Sequence, residues 1–286
     1  MTHDASTRPP GREELVRKLG TSARPAQQNQ ALLTMARLSF CGGDRDAAAA
    51  SAIPPLVQLM GPSSTAEVQE RAAALANLAM IAENASTIAA AGAIPSLVHL
   101  LGEAFSGAVQ EKAAGALGNL AHYAANQGAI TAAGAIPPLV HLLGSTSAAK
   151  LPEMAAGALM CLAHDPENAA TITAAGAIPP PVHLLGAAFA AEIQEKAAAA
   201  LGNLAHYDAN QGAITAAGAI PPLVHLLWAT FAAEVQEQAA RAINNVAHYA
   251  ENQGAITAAG DIPPLVHLLG VTFAAEVQEG AAGVLA

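Results

Sequence analysis

The stretch Gly134–Leu143 reads GAIPPLVHLL, and close copies of it run through the chain. Its isoleucine recurs at Ile53, Ile94, Ile136, Ile178, Ile220 and Ile262, with spacings of 41, 42, 42, 42 and 42 residues. A fixed period of that length marks a stack of helical repeats, each unable to bury its own apolar face. The letters also give the local structure. Gly134 suits the left-handed turn that ends a helix. Ile136-Pro137 opens the next one, because proline is at home in a first helical turn and cannot extend a preceding helix. Leu139, Val140, Leu142 and Leu143 supply an apolar face. Upstream of Gly134, Asn126–Ala133 predicts a short first helix. In the preceding unit Ala108–Tyr123 predicts a longer third helix, with Val109, Ala113, Ala116, Leu117 and Leu120 at helical spacing.

The fold class expected is therefore all-α, a solenoid of three-helix units. A worn earlier copy, Leu15-Val16-Arg17-Lys18-Leu19-Gly20, extends the array toward the N-terminus. The reading places a disordered tail at 1–10 and repeats at about 11–50, 51–91, 92–133, 134–175, 176–217 and 218–259, with a partial unit at 260–286. A chain that stops inside a unit predicts a longer parent and an uncapped edge prone to self-association.

Composition narrows the function. The chain has 286 residues, 53% hydrophobic but only 3% aromatic, so its core must be built from Ala, Leu, Ile and Val. The net charge is −10, unevenly spread: residues 1–46 carry seven basic and five acidic side chains, the remainder five and seventeen. An acidic body repels phosphate backbones and attracts basic partners, which argues against nucleic acid. Two cysteines, Cys41 and Cys161, make no disulfide framework and point to a reducing compartment, cytoplasm or nucleus. The opening MTHDASTRPPGREE has no apolar core of a secretory signal, and Thr2 stands where N-myristoylation needs glycine. The uncharged run 124–149 is broken by Gly128, Gly134, Pro137 and Pro138, so it reads as helix–turn–helix and not as a membrane span.

Nine histidines form two ladders, His99, His141, His183, His225 and His267 on second helices, and His122, His164, His206 and His248 at third-helix ends. Equivalent positions in stacked helices lie roughly 8–10 Å apart, too far to share a metal ion. They read as repeat copies on exposed or half-buried faces. No nucleophile triad, phosphate loop or H-E-x-x-H is present. The expectation is a protein with no catalytic residues, no metal and no cofactor.

The run Gly134–Leu143, the Glu-Val-Gln-Glu segments and Leu117-Gly118-Asn119-Leu120-Ala121 together resemble the armadillo repeat over about residues 11–286. The resemblance implies a right-handed superhelix whose third helices line a concave groove, in adaptors that bind extended peptides. It further implies that Asn77, Asn119, Asn203 and Asn245 are groove residues whose amides pair with a bound peptide backbone. An amide suits that task because it offers both donors and acceptors. Helical phase adds Glu111, Glu195 and Glu237, and His122, His206 and His248, to the same face. Those carboxylates are expected to favour basic segments, although Lys112 and Lys196 flank the face.

Two departures from the family pattern stand out. Import receptors carry Trp four residues before the groove Asn, where this chain has Ala73, Gly115, Gly157, Ala199 and Arg241. Unit 134–175 has Cys161 in place of Asn, Lys150-Leu151-Pro152 in place of Glu-Val-Gln, and Ser147 in place of Phe. The functional expectation is a non-enzymatic interaction scaffold for extended protein segments. The alternatives are the substrate-recognition part of a ubiquitin-ligase assembly, or an import-type adaptor without tryptophan pockets.

Overall fold

A computed structural model describes residues 45–60, 65–145, 150–228, 231–260 and 263–266. The worn first repeat up to residue 44, the tail at 1–10, Cys41, Ser147, His267 and most of the partial last unit lie outside them. Every described regular element is a helix. In order these are α1 (Arg45–Gln58), α2 (Thr65–Leu78), α3 (Ala82–Ala90), α4 (Ala93–His99), α5 (Gly107–Ala121), α6 (Ala124–Ala132), α7 (Ile136–Leu143) and α8 (Lys150–Leu162). They continue with α9 (Pro166–Ala174), α10 (Pro179–Leu184), α11 (Ala191–Ala205), α12 (Asp208–Ala216), α13 (Ile220–Leu226), α14 (Ala233–Ala247) and α15 (Ala250–Ala258). The chain forms two compact units, one ending at Asn126 and the other beginning at Gln127. In the first, the third helices α2 and α5 pack on each other; in the second, α8 packs on α11 and α11 on α14.

The punctuation follows the sequence. Gly92, Gly134, Gly176, Gly218 and Gly260 have φ between 75° and 83°, the left-handed conformation that glycine adopts without a Cβ penalty. Position 51, where the period calls for that glycine, holds serine. There the helix does not stop: α1 runs through Pro54 and Pro55 as one element where later repeats have two. Ile136, Leu139, Leu142 and Leu143 are buried on α7, whereas Val140 is only half-buried. On α5 all five expected positions, Val109, Ala113, Ala116, Leu117 and Leu120, are fully buried. Small residues let third helices approach closely: a Cβ placed on Gly202 would stand 3.4 Å from the Cα and Cβ of Ala242.

The glutamine of the Glu-Val-Gln segment proves to be a core residue. Gln110 Nε2 donates to the carbonyls of Leu101 and Gly102 at 3.0 Å each. Gln194 does the same for Leu185 and Gly186, and Gln236 for Leu227 and Trp228. Each bonds two carbonyls in the turn just past a second helix, the second of which also accepts from the Phe N–H three residues on. Pro152 occupies this place in α8 and has no donor to give. In α2 the spacing from Gln69 to Asn77 is one residue shorter than from Gln110 to Asn119, a rotation of about 100° on a helix. Gln69 accordingly turns half outward, and the buried Arg71 donates to the Leu59 carbonyl instead.

Candidate functional site

The asparagines of the third helices are built into the contact between repeats. Asn119 Nδ2 donates to the Ala76 carbonyl, Asn203 to that of Met160 and Asn245 to that of Gly202, each at 2.8 Å and each across 43 residues. An amide nitrogen has two hydrogens, so in Asn119 and Asn245 one N–H and the Oδ1 lone pairs stay available after this bond. Asn119 and Asn245 are half-buried and Asn203 is buried. Asn77 is exposed and makes no side-chain hydrogen bond to another described residue. The residue one repeat before it lies outside the described residues.

The three expected histidines are all exposed and occupy the residue after a third helix, His122 after α5, His206 after α11 and His248 after α14. Their neighbours, which the sequence reading passed over, matter more. Tyr123 Oη donates to the Met80 carbonyl at 2.9 Å and Tyr207 Oη to that of His164 at 2.7 Å, again across 43 residues. His122 and His206 stand edge-on to those rings at 5.5 and 5.4 Å. The second-helix histidines His99, His183 and His225 similarly meet Phe105, Phe189 and Phe231 at 5.2–5.3 Å. Every described histidine of the two ladders presents its ring at the surface. Among the described residues no three His, Cys, Asp or Glu side chains gather as a metal site requires.

The carboxylates are less available than their phase suggests. Glu111 is ion-paired to Lys112 at 2.7 Å and Glu195 to Lys196 at 2.6 Å. Glu237 accepts a hydrogen bond from Gln238 Nε2 at 3.2 Å.

In the second unit an open cleft of about 370 Å³ is lined by Ala163, His164, Asn203, His206, Tyr207, Arg241 and Asn245. It brings together three expected residues, Asn203, His206 and Asn245, and leaves His248, Glu195 and Glu237 off its lining. His164, Tyr207 and Arg241 complete it. The signal for Arg241 was in the sequence, since it lies one turn before Asn245 on the same face. His164 Nδ1 lies 3.3 Å from the Cys161 carbonyl and 3.3 Å from Asn203 Nδ2. With a proton on Nδ1 the ring donates to the carbonyl; without it the ring accepts from the amide, so the two contacts exclude each other. Partial desolvation lowers the pKa of the otherwise exposed Arg241, while Glu237 one turn earlier acts in the opposite sense. Cys161, a free thiol at the position of the missing asparagine, is pushed up by burial, with Lys196 opposing.

The Armadillo/beta-catenin-like repeat profile matches residues 82–122, 165–206 and 208–248. An engineered protein of the Northeast Structural Genomics Consortium is 35% identical, with a TM-score of 0.85 over 96% of this chain and 67% of its own. A designed armadillo repeat protein is 31% identical, with a TM-score of 0.75 over 82% of this chain and 98% of its own. A second designed armadillo repeat protein, solved in complex with the peptide (KR)4, is 31% identical, with a TM-score of 0.72 over the same shares. No curated protein matches in sequence. The chain belongs to the armadillo-repeat family. Among its described residues no helix is long and apolar enough to cross a membrane.

Proposed function

We propose that the chain is a non-enzymatic scaffold that holds extended protein segments by their main chain, one repeat at a time. The observation that carries this reading is the state of the in-phase asparagines. Asn119, Asn203 and Asn245 are each fixed by a 2.8 Å bond to the neighbouring repeat. Asn119 in the first unit and Asn245 in the second keep one N–H and Oδ1 for a strand laid against them, while the second N–H of Asn203 faces His164. An amide held from behind costs less entropy to engage than a free one. Small residues at Ala73, Gly115, Gly157 and Ala199 leave no aromatic pocket for a lysine stem, which disfavours the import-type alternative. A free, half-buried thiol at Cys161 suits a reducing compartment such as cytoplasm or nucleus.

A basic partner is the second reading. The net charge of −10 favours it by long-range steering, and a similar designed protein was solved with (KR)4.

The test is an array of unstructured peptides probed with wild type and with a chain carrying Asn77→Ala, Asn119→Ala and Asn203→Ala. Thermal unfolding is measured in parallel, because Asn119 and Asn203 also join repeats. Binding should fall across the array whatever the peptide side chains, and Asn77→Ala alone should weaken it without moving the unfolding midpoint. Full retention of binding by the triple variant would overturn the reading.

A further inference from the structure

The cleft of the second unit holds a cation and several donors, its acceptors are the neutral amide oxygens of Asn203 and Asn245, and no anion among the described residues lines it. Arg241 is exposed and brings five N–H groups. Asn245 has one amide hydrogen left after its bond to Gly202, and His164 and His206 each carry a ring N–H. The phenol of Tyr207 is already spent on the His164 carbonyl at 2.7 Å. Among the described residues no carboxylate lines the cleft. Of the nearby acids, Glu195 is held by Lys196 at 2.6 Å, and Asp165 beside Tyr207 caps α9 by accepting from the Glu167 and Asn168 N–H groups. Glu237, one turn back on α14, accepts from Gln238 and partly offsets the Arg241 charge. Such a surface calls for an anion.

We infer that this cleft receives the carboxylate of an aspartate or glutamate in the bound segment, with the Arg241 guanidinium as its ion partner. The inference rests on the peptide-binding reading and adds a side-chain specificity to it. A guanidinium and a carboxylate make charge-assisted, two-pronged hydrogen bonds, among the strongest available at a surface. The position is unlike its counterparts: one turn before each rung the other repeats have Ala73, Gly115, Gly157 and Ala199. A ladder that reads only main chain cannot tell one register from the next. One acidic residue seated at Arg241 would fix it. The overall negative charge does not forbid this, because at physiological salt charges beyond about 8 Å are largely screened.

Fluorescence anisotropy with labelled octapeptides of alternating Gly-Glu, Gly-Ser and Gly-Lys tests the proposal at physiological ionic strength. Wild type should bind Gly-Glu about tenfold more tightly than Gly-Ser. Arg241→Glu should abolish that preference and Arg241→Gln reduce it. Lys150→Glu makes the same change of net charge on an exposed residue outside the cleft lining, and should shift affinity by no more than about twofold. Equal effects of Arg241→Glu and Lys150→Glu, or no preference for Gly-Glu while Gly-Ser still binds, would overturn the anion site and leave the main-chain clamp standing. Failure of all three peptides to bind would overturn both.

Discussion

At Gly176 the backbone has φ +77° and nothing lies within 4 Å of where a Cβ would point. The need for glycine there is conformational and not steric. Gly176→Ala should therefore destabilise by about 1–2 kcal/mol, the cost of a left-handed L-residue, without disturbing any neighbour. Urea unfolding measures it; an unchanged midpoint would show that the turn relaxes. Gly202 is the opposite case, a helical glycine with ordinary dihedrals whose missing Cβ makes room for Ala242 at 3.4 Å. The first kind was legible in the sequence, because Gly134 sits between a helical pattern and Ile-Pro-Pro. What Asn119 does was only half legible. Its phase and its place on the face could be read, but its partner is the Ala76 carbonyl, and a backbone carbonyl leaves no mark in the letters. The same reason hid Tyr123 and Tyr207, whose acceptors are also backbone.

The elements owe their ends to side chains that look like surface residues on paper. Gln194 lies in a polar-looking segment, Glu-Ile-Gln-Glu-Lys, yet it is 3% exposed and holds the Leu185 and Gly186 carbonyls just past α10. Gln194→Ala would leave the buried Leu185 carbonyl without this donor, while Gly186 keeps the Phe189 N–H, so a loss of about 1–3 kcal/mol is expected, whereas the exposed Glu192→Ala should change little. Comparing the two unfolding midpoints checks it. Three helices per repeat could be read from proline, glycine and apolar spacing together. The fusion of α1 into one helix could be read too, from Ser51 standing in the glycine's place. The partial cancellation of Glu111 and Glu195 by Lys112 and Lys196 could be read from the sequence, but not its contact geometry. Adjacent residues on a helix point apart, and only the structure shows Lys112 and Lys196 reaching back to them at 2.7 and 2.6 Å.

Over the whole molecule, stability is assembled from short-range pieces. A core with 3% aromatic residues cannot rest on a few large anchors, and it distributes burial over many Ala, Leu and Ile side chains. Within each unit, neighbouring repeats are joined by packing of third helices and by the bonds across 43 residues. The acceptors of those bonds, Ala76, Met160 and Gly202, have nothing in common but a peptide carbonyl. Any copy can thus follow any other. Joining Ala175 directly to Gly218 would delete residues 176–217, set Asn245 42 positions after Cys161 and present it with the Met160 carbonyl that Asn203 now uses. The shortened protein should fold, with helical circular dichroism per residue close to that of the parent; its collapse would show that the seams are specific after all. If the shortened protein folds, the structure would tolerate gain or loss of a whole 42-residue unit. Copy number becomes a heritable dial, one that sets how long a segment the scaffold can hold while the chemistry of each rung stays the same.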